Sequence, residues 1–272
     1  MTFEKINVLI SGGSSGIGLE LAKKFANLGA NVTILARTKA NLIEAVNEIN
    51  KYTIADYQEI KWISADVRDY NKLEKAIRED NKSYDILINS AGLTYPGVFT
   101  DLSIDILKEL VEVNYLGTVN LTKLIVPQMQ AKKSGHIVNL ASLASFGAGY
   151  GYTAYAPTKF AIRGLSIGLR AELKAQNIHI SIVYATNTDT PQLAFELSRM
   201  PEITKIINSG FEVITAETVA DSIIAGIRRK QFSIIPGNIL IKAKFIFLIL
   251  ITPLVNEFVF HYAVYLARKE KK

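Results

Sequence analysis

Short apolar runs alternate with segments whose apolar residues recur at helical spacing, from the start of the chain to about residue 229. Val8-Leu9-Ile10 is the first run, and Ile17, Leu21, Phe25 and Leu28 then mark one face of a helix. Further strands are predicted over residues 31–36, 60–65, 86–88, 137–140, 178–184 and 232–235. The period between them predicts helices over 42–49, 71–79, 104–129, 155–175 and 215–229. Strands this apolar and short, joined by helices, pack as a parallel sheet covered on both faces. The expected class is α/β, one doubly wound parallel sheet of about seven strands, with ligands bound beyond the carboxyl ends of its strands.

Two segments stand apart from this alternation. Residues 187–212 lack a strong period and come after a strand end, which suits either a mobile substrate loop or a surface helix. Residues 239–272 form an apolar and basic extension to a catalytic domain of residues 1–238. Residues 245–251 are an unbroken apolar run, but Asn256, Glu257 and His261 interrupt the stretch beyond it, so no apolar span of ~20 residues exists. Lys242 and Lys244 precede the run, and Arg268, Lys269, Lys271 and Lys272 close the chain. Apolar residues flanked by cations suit a segment lying on an anionic membrane surface; a helix completing a subunit interface is the alternative.

Composition narrows the class. With 272 residues, 49% of them hydrophobic, the chain can bury a large core as one unit. It has no cysteine, which excludes disulfides and thiolate metal sites and fits a reducing compartment. His136, His179 and His261 show no ligand spacing, so no metal is expected. The net charge of +6 is spread along the chain rather than striped with aromatics, which suits attraction of an anionic cofactor and not nucleic-acid binding. The first residues run into a strand without the basic and apolar regions of a signal peptide, so the expected location is cytoplasmic, with a peripheral place on the cytoplasmic face of a membrane left open by the extension.

Candidate chemistry sits at two strand ends. Gly12, Ser14, Ser15, Gly16, Ile17 and Gly18 form a Gly-x-x-x-Gly-x-Gly turn between a strand and a helix, as a Rossmann-type dinucleotide site requires. Such a turn alone also occurs without a ligand; the strand before and helix after favour a cofactor. The second strand ends in Arg37, with Lys39 beyond it, where an acidic residue would accept from a ribose. A guanidinium there pairs with a 2′-phosphate, so NADPH/NADP+ is the expected cofactor. Tyr155 and Lys159 stand one helical turn apart, and Pro157 falls in the first turn of their helix. A phenol beside a fixed cation is a proton donor with a lowered pKa. Ser142, after a strand, adds a hydroxyl for a carbonyl, and Asn114, mid-helix, needs partners such as water or a backbone carbonyl if buried.

Taken together, the glycine turn, Asp66-Val67, Asn89-Ser90-Ala91-Gly92, Asn114, Ser142, Tyr155 and Lys159 resemble the short-chain dehydrogenase/reductase family over about residues 5–235. The resemblance implies that Ser142 polarises a substrate carbonyl and that Tyr155 delivers the proton. It also implies that Lys159 binds the nicotinamide ribose and lowers the Tyr155 pKa, while Asn114 holds a water in the relay. Asp66 and Val67 would lie at the adenine, Asn89 would brace the central strand, and Ala91 and Gly92 would face the cofactor. Two departures stand out: Ser90 replaces a second asparagine, and Ala185-Thr186 replaces a Pro-Gly after the sixth strand. Thr188 and Thr190 still occupy the positions that contact the nicotinamide amide in the family.

Within the family, Tyr152-Thr153-Ala154-Tyr155, residues 159–165 and Thr188-Asp189-Thr190-Pro191 resemble the 3-ketodihydrosphingosine reductase subgroup. That resemblance implies a long-chain, lipid-like ketone substrate, a homodimer or homotetramer, and NADPH-dependent reduction. A reductase or dehydrogenase of another apolar ketone or alcohol (fatty-acyl, retinoid or steroid-like) and a non-enzymatic nucleotide-binding scaffold are the alternatives. The intact Ser142, Tyr155 and Lys159 set argues against the scaffold.

Overall fold

The computed structural model describes residues 2–238 together with residues 240, 241, 243, 265 and 269. The chain alternates β1 (Asn7–Ser11), α1 (Gly16–Ala26), β2 (Asn31–Ala36), α2 (Lys39–Asn50), β3 (Ile60–Ser64), α3 (Tyr70–Asp80) and β4 (Ile86–Asn89). It continues through α4 (Ile104–Leu110), a π turn (Val111–Leu116), α5 (Gly117–Lys132), β5 (Gly135–Leu140), α6 (Ala156–Leu173) and β6 (Ile178–Val183). The last described elements are β7 (Thr188–Asp189), α7 (Pro191–Arg199), α8 (Glu202–Asn208), β8 (Ile214–Thr215), α9 (Ala216–Arg228) and β9 (Ser233–Ile234).

Seven strands form one sheet in the order β3-β2-β1-β4-β5-β6-β9, with every pairing parallel. The expected sheet is therefore the observed one. Its central strands β1, β4 and β5 are buried on both sides, as the unbroken apolar runs require. One face packs Leu21 and Phe25 of α1, Leu42 and Ile49 of α2, and Val219 and Ile223 of α9 into a single core. The other face packs Leu73 and Ile77 of α3, Leu121, Ile125 and Met129 of α5, and Leu173 of α6. Strand order reverses between β1 and β4, and a crevice opens there beyond the strand ends.

One segment departs from the periodicity reading, and a second takes one of the two alternatives it left open. The helix predicted over 104–129 is α4 and α5 joined through the π turn, which holds Asn114. Residues 187–212 are largely helical, in α7 and α8, and β7 pairs with β8 in a short second sheet. Neither helix has the length to show a clear apolar period, and Pro191 and Thr190 mark the start of α7 more sharply than its hydrophobic residues do. The extension over 239–272 lies almost wholly outside the described residues. Among the described residues no helix is long and apolar enough to cross a membrane.

Candidate active site

The crevice is shaped first by glycine backbone. Gly12 (φ +69°) and Gly16 (φ +53°) take left-handed conformations that cost an L side chain strain. A Cβ on Gly12 would stand 2.8 Å from the Ala91 nitrogen, and one on Gly18 would stand 2.3 Å from the Gly12 carbonyl oxygen. The turn thus closes backbone on backbone. Ser15 caps α1 in an extended conformation but spends no side-chain hydrogen bond on the helix. The first turn of an 11-residue helix therefore meets the crevice with its N–H groups uncapped by that side chain, which suits an anionic diphosphate. The donor set and the space fit a dinucleotide. Ser11, which carries no motif of its own, joins the two strand ends: its Oγ accepts from Ser90 N and Ala91 N, each at 3.2 Å. A hydroxyl closing an otherwise apolar strand was the signal for it.

At the end of β2, Arg37 is exposed, and its carbonyl accepts from Ser64 Oγ at 3.1 Å. The Lys39 ammonium lies 5.5 Å from the centre of the Trp62 ring. Asp66 is taken up by Arg68, whose Nη2 donates to Oδ2 at 2.7 Å and whose Nε donates to Oδ2 at 3.0 Å. Partial burial would raise the Asp66 carboxyl, but the hydrogen bonds from Arg68 outweigh it and hold the group below the usual carboxylate range, with Arg37 adding charge. Val67 is buried, and its carbonyl accepts from Asn120 Nδ2 at 2.9 Å. Arg68 does not stand out in the sequence, because a basic residue two positions after an acid has no distinctive spacing.

A cavity of about 410 Å³ gathers the centre of the site. Its walls include Gly12, Ser15, Gly16, Ile17, Ala91, Gly92, Ser142, Tyr155, Lys159, Thr188 and Thr190. Ser14, Gly18, Arg37, Lys39, Asp66, Val67, Asn89 and Asn114 stand outside those walls. Asn89 is buried at the end of β4, where its Nδ2 donates to Asn139 Oδ1 at 2.8 Å and Thr122 Oγ1 at 3.1 Å. Asn139 passes the link to Ser166 of α6 at 2.9 Å, so a buried polar chain ties the catalytic helix to the sheet.

Ser142 comes just after β5 and begins a 3₁₀ turn (Leu143–Ser145) with a reciprocal capping box. Its Oγ accepts from Ala144 N at 3.2 Å, which leaves the hydroxyl proton free to point at the Tyr155 phenol. Tyr155 caps α6, with Pro157 in the first turn, and Lys159 N bonds back to the Tyr155 carbonyl at 3.4 Å. Lys159 Nζ lies 5.5 Å from the centre of the Tyr155 ring and donates to the Leu140 carbonyl at 2.9 Å. Asn114 finds the backbone partner its burial demands: Nδ2 donates to Leu93 O at 2.9 Å and Oδ1 accepts from Leu93 N at 2.7 Å. The same Nδ2 reaches Thr158 Oγ1 at 3.0 Å, and Thr158 donates to the Tyr155 carbonyl at 2.7 Å. The π turn therefore aims an amide from one helix at the catalytic turn of another. Thr158 is invisible in sequence as a functional residue, since its role depends on a contact 44 positions away.

Thr188 and Thr190 hydroxyls bond to Thr186 O and Thr188 O at 2.9 and 3.1 Å, and Thr190 also caps α7. The Thr190 methyl group closes over Gly16, where an added Cβ would meet it at 3.1 Å. That packing brings the β7 turn onto the glycine turn despite the missing Pro-Gly.

One expectation is reversed. The phenol of Tyr155 lies above its ordinary pKa, not below it, because burial outweighs everything else and the Glu196 charge adds to it; only the Ser142 hydrogen bond pulls it down. Burial also lowers Lys159 to about 8, against a smaller opposing pull from Glu196. The ammonium is thus still the major form at neutral pH, but it stands over the ring face and not on the phenol oxygen. Glu196, on α7, lines the same cavity, and nothing in its sequence spacing marks it.

The geometry is that of a dinucleotide-dependent oxidoreductase of the short-chain class. Residues 6–200 match the family model described as short chain dehydrogenase, and the chain belongs to that family. It is 37% identical over 222 residues to a 3-dehydrosphinganine reductase of Danio rerio, covering 80% of this chain and 67% of that one. It is 36% identical to a 3-ketodihydrosphingosine reductase of Bos taurus over the same shares of the two chains. Among solved structures, it resembles a short-chain dehydrogenase from Sphingobium yanoikuyae in complex with NADPH, with a TM-score of 0.74 and 27% identity over 85% of this chain and 87% of that one.

Proposed function

We propose that this chain is an NADPH-dependent reductase of a long-chain, lipid-like ketone, and that the ketone is 3-ketodihydrosphingosine, reduced to dihydrosphingosine. One observation carries the reading: Ser142, Tyr155 and Lys159 meet the glycine turn in one cavity, in a chain 36–37% identical to relatives named for that substrate. The cavity wall also includes Leu143, Phe146, Leu193, Ile207 and Phe211, apolar surface suited to an alkyl chain.

The glycine turn and the α1 terminus would hold the diphosphate, Arg37 would take the 2′-phosphate, and Lys159 would take the ribose of the nicotinamide. When bound, NADPH supplies the hydride that reduces the carbonyl carbon. Tyr155 holds the proton: a phenol raised by burial is fully protonated at neutral pH, the state a donor to a forming alkoxide needs. The Ser142 hydroxyl, held in its capping box, donates to the same oxygen as charge develops on it. The Thr158 and Asn114 chain fixes the backbone carbonyl of Tyr155 and so the direction of its side chain.

Residues 1–238 would form the catalytic unit, and residues 239–272 would lie on an anionic membrane surface, which their apolar run and flanking cations support. A homodimer or homotetramer on the cytoplasmic face completes the reading. The test is NADPH oxidation against 3-ketodihydrosphingosine, a long-chain 3-oxoacyl thioester, a retinoid aldehyde and a steroid ketone. The sphingoid ketone should give the highest kcat/KM. A tenfold preference for any other ketone contradicts the assignment.

A further inference from the structure

Glu196 is the acid that neither the family match nor the reaction explains. It lines the cavity beside Tyr155 and Lys159, on a helix rather than a strand end. The phenol of Tyr152 donates to its Oε2 at 3.0 Å, and Asn208 Nδ2 in turn donates to that phenol oxygen at 2.9 Å. Tyr152 opens the turn that ends at Tyr155: Tyr155 N bonds to Tyr152 O at 3.1 Å, and the two rings are 6.1 Å apart. The carboxylate is thus fixed, through one side chain, to the residue that donates the proton.

Its hydrogen-bond partner is the neutral Tyr152 phenol. The ion pairs among the described residues all involve other acids. Lys159 feels its field, but the Lys159 ammonium is bonded to Leu140 O and makes no ion pair with it. Arg199, one turn along α7, is turned the other way, onto Tyr95 and Phe195. A half-buried carboxylate with one hydrogen bond and no counter-charge is costly to keep. The cost is recovered when a cationic ligand arrives.

We infer that Glu196 is a specificity residue that binds the ammonium group next to the ketone of a 2-amino-3-keto substrate. This rests on the function proposed above, and it deepens that reading by assigning a residue to the amine of the amino-ketone. The amine of such a substrate is one carbon from the carbonyl, so its acceptor must stand immediately beside Ser142 and Tyr155. Of the described Asp and Glu residues, only Glu196 is part of the cavity wall. A substrate without the amine would leave the acid unpaired.

The experiment compares 3-ketodihydrosphingosine with its analogue carrying hydrogen in place of the amine, using the full chain and saturating NADPH. The wild-type protein should prefer the amino-ketone on the order of 30-fold in kcat/KM. Glu196→Gln should erase most of that preference through KM for the amino-ketone, while the deaminated analogue stays within about twofold. Glu196→Asp, which keeps the charge, should fall between. Equal kcat/KM for the two ketones in the wild-type protein overturns the inference, and so does an equal loss on both ketones in Glu196→Gln. Turnover of neither ketone by the wild-type protein would instead strike the function proposed above.

Discussion

The glycine end of the crevice and the α7 end do their work by different means. At the first, backbone meets backbone: Gly18 lies where a Cβ would touch the Gly12 carbonyl, and Gly12 packs on Ala91. At the second, the side chains of Glu196 and Asn208 converge on Tyr152 from 44 and 56 residues further along the chain. A site made of backbone tolerates almost no change of residue, so its chemistry is written in residue type and spacing. A site made of converging side chains can be rebuilt with other residues, and its neighbours along the chain say little about it. On the function proposed above, the first end holds the dinucleotide and the second chooses the substrate.

The sharpest way to break this contrast is at Gly18. Gly18→Ala puts a methyl carbon 2.3 Å from a backbone oxygen that cannot swing aside. We expect a loss of about 2–3 kcal/mol in stability and at least about a 100-fold weakening of NADPH binding, read by denaturant unfolding and by cofactor fluorescence. Near wild-type binding would show that the turn has more freedom than its backbone contacts suggest.

A loss of cofactor selectivity with the fold intact is expected at Arg37, the side chain proposed to take the 2′-phosphate. Arg37 is exposed and its hydrogen bond to Ser64 runs through its backbone carbonyl, so Arg37→Glu should leave the fold intact. The ratio of kcat/KM for NADPH over NADH should fall on the order of 100-fold, as one charge contact to a 2′-phosphate becomes a repulsion. An unchanged ratio would move the source of cofactor preference elsewhere.

The fold itself is readable almost completely from apolar periodicity, because each buried strand and each amphipathic helix repeats its own rule locally. Gly12, Gly16, Gly18, Tyr155 and Lys159 are readable for the same reason: their partners are close in sequence or their residue type is forced. The π turn at Asn114 is not, since a helix of unchanged apolar period conceals one extra residue in a turn. Thr158 and Glu196 escape notice because each acts through a contact that only the folded chain brings about, and Arg68 because its spacing from Asp66 is undistinctive. The direction of the Tyr155 shift fails on the same ground. An i, i+4 lysine is visible in sequence, whereas the burial that raises the phenol is not.

The smallest expected effect concerns Lys159, whose pKa burial lowers to about 8 from 10.5. Below pH 8 both the folded and the unfolded chain hold that proton, and burying the cation costs stability. Between pH 8 and 10.5 the folded chain sheds it first, so the unfolded chain binds more protons and stability rises with pH. Lys159→Met removes the buried cation at the expense of the hydrogen bond to Leu140 O. The cofactor-free variant should therefore be about 1 kcal/mol more stable than the wild-type protein at pH 7, a gain that fades as pH rises from 8 to 10.5. A gain that grew with pH would contradict the burial argument.

The most direct test of the central claim is steady-state reduction of 3-ketodihydrosphingosine by Tyr155→Phe, with NADPH binding measured on the same sample. Removing one oxygen leaves the ring and its packing in place, so the cofactor should bind as in the wild-type protein while kcat falls by about three orders of magnitude. Turnover within tenfold of the wild-type rate, with NADPH bound, would mean that another group supplies the proton.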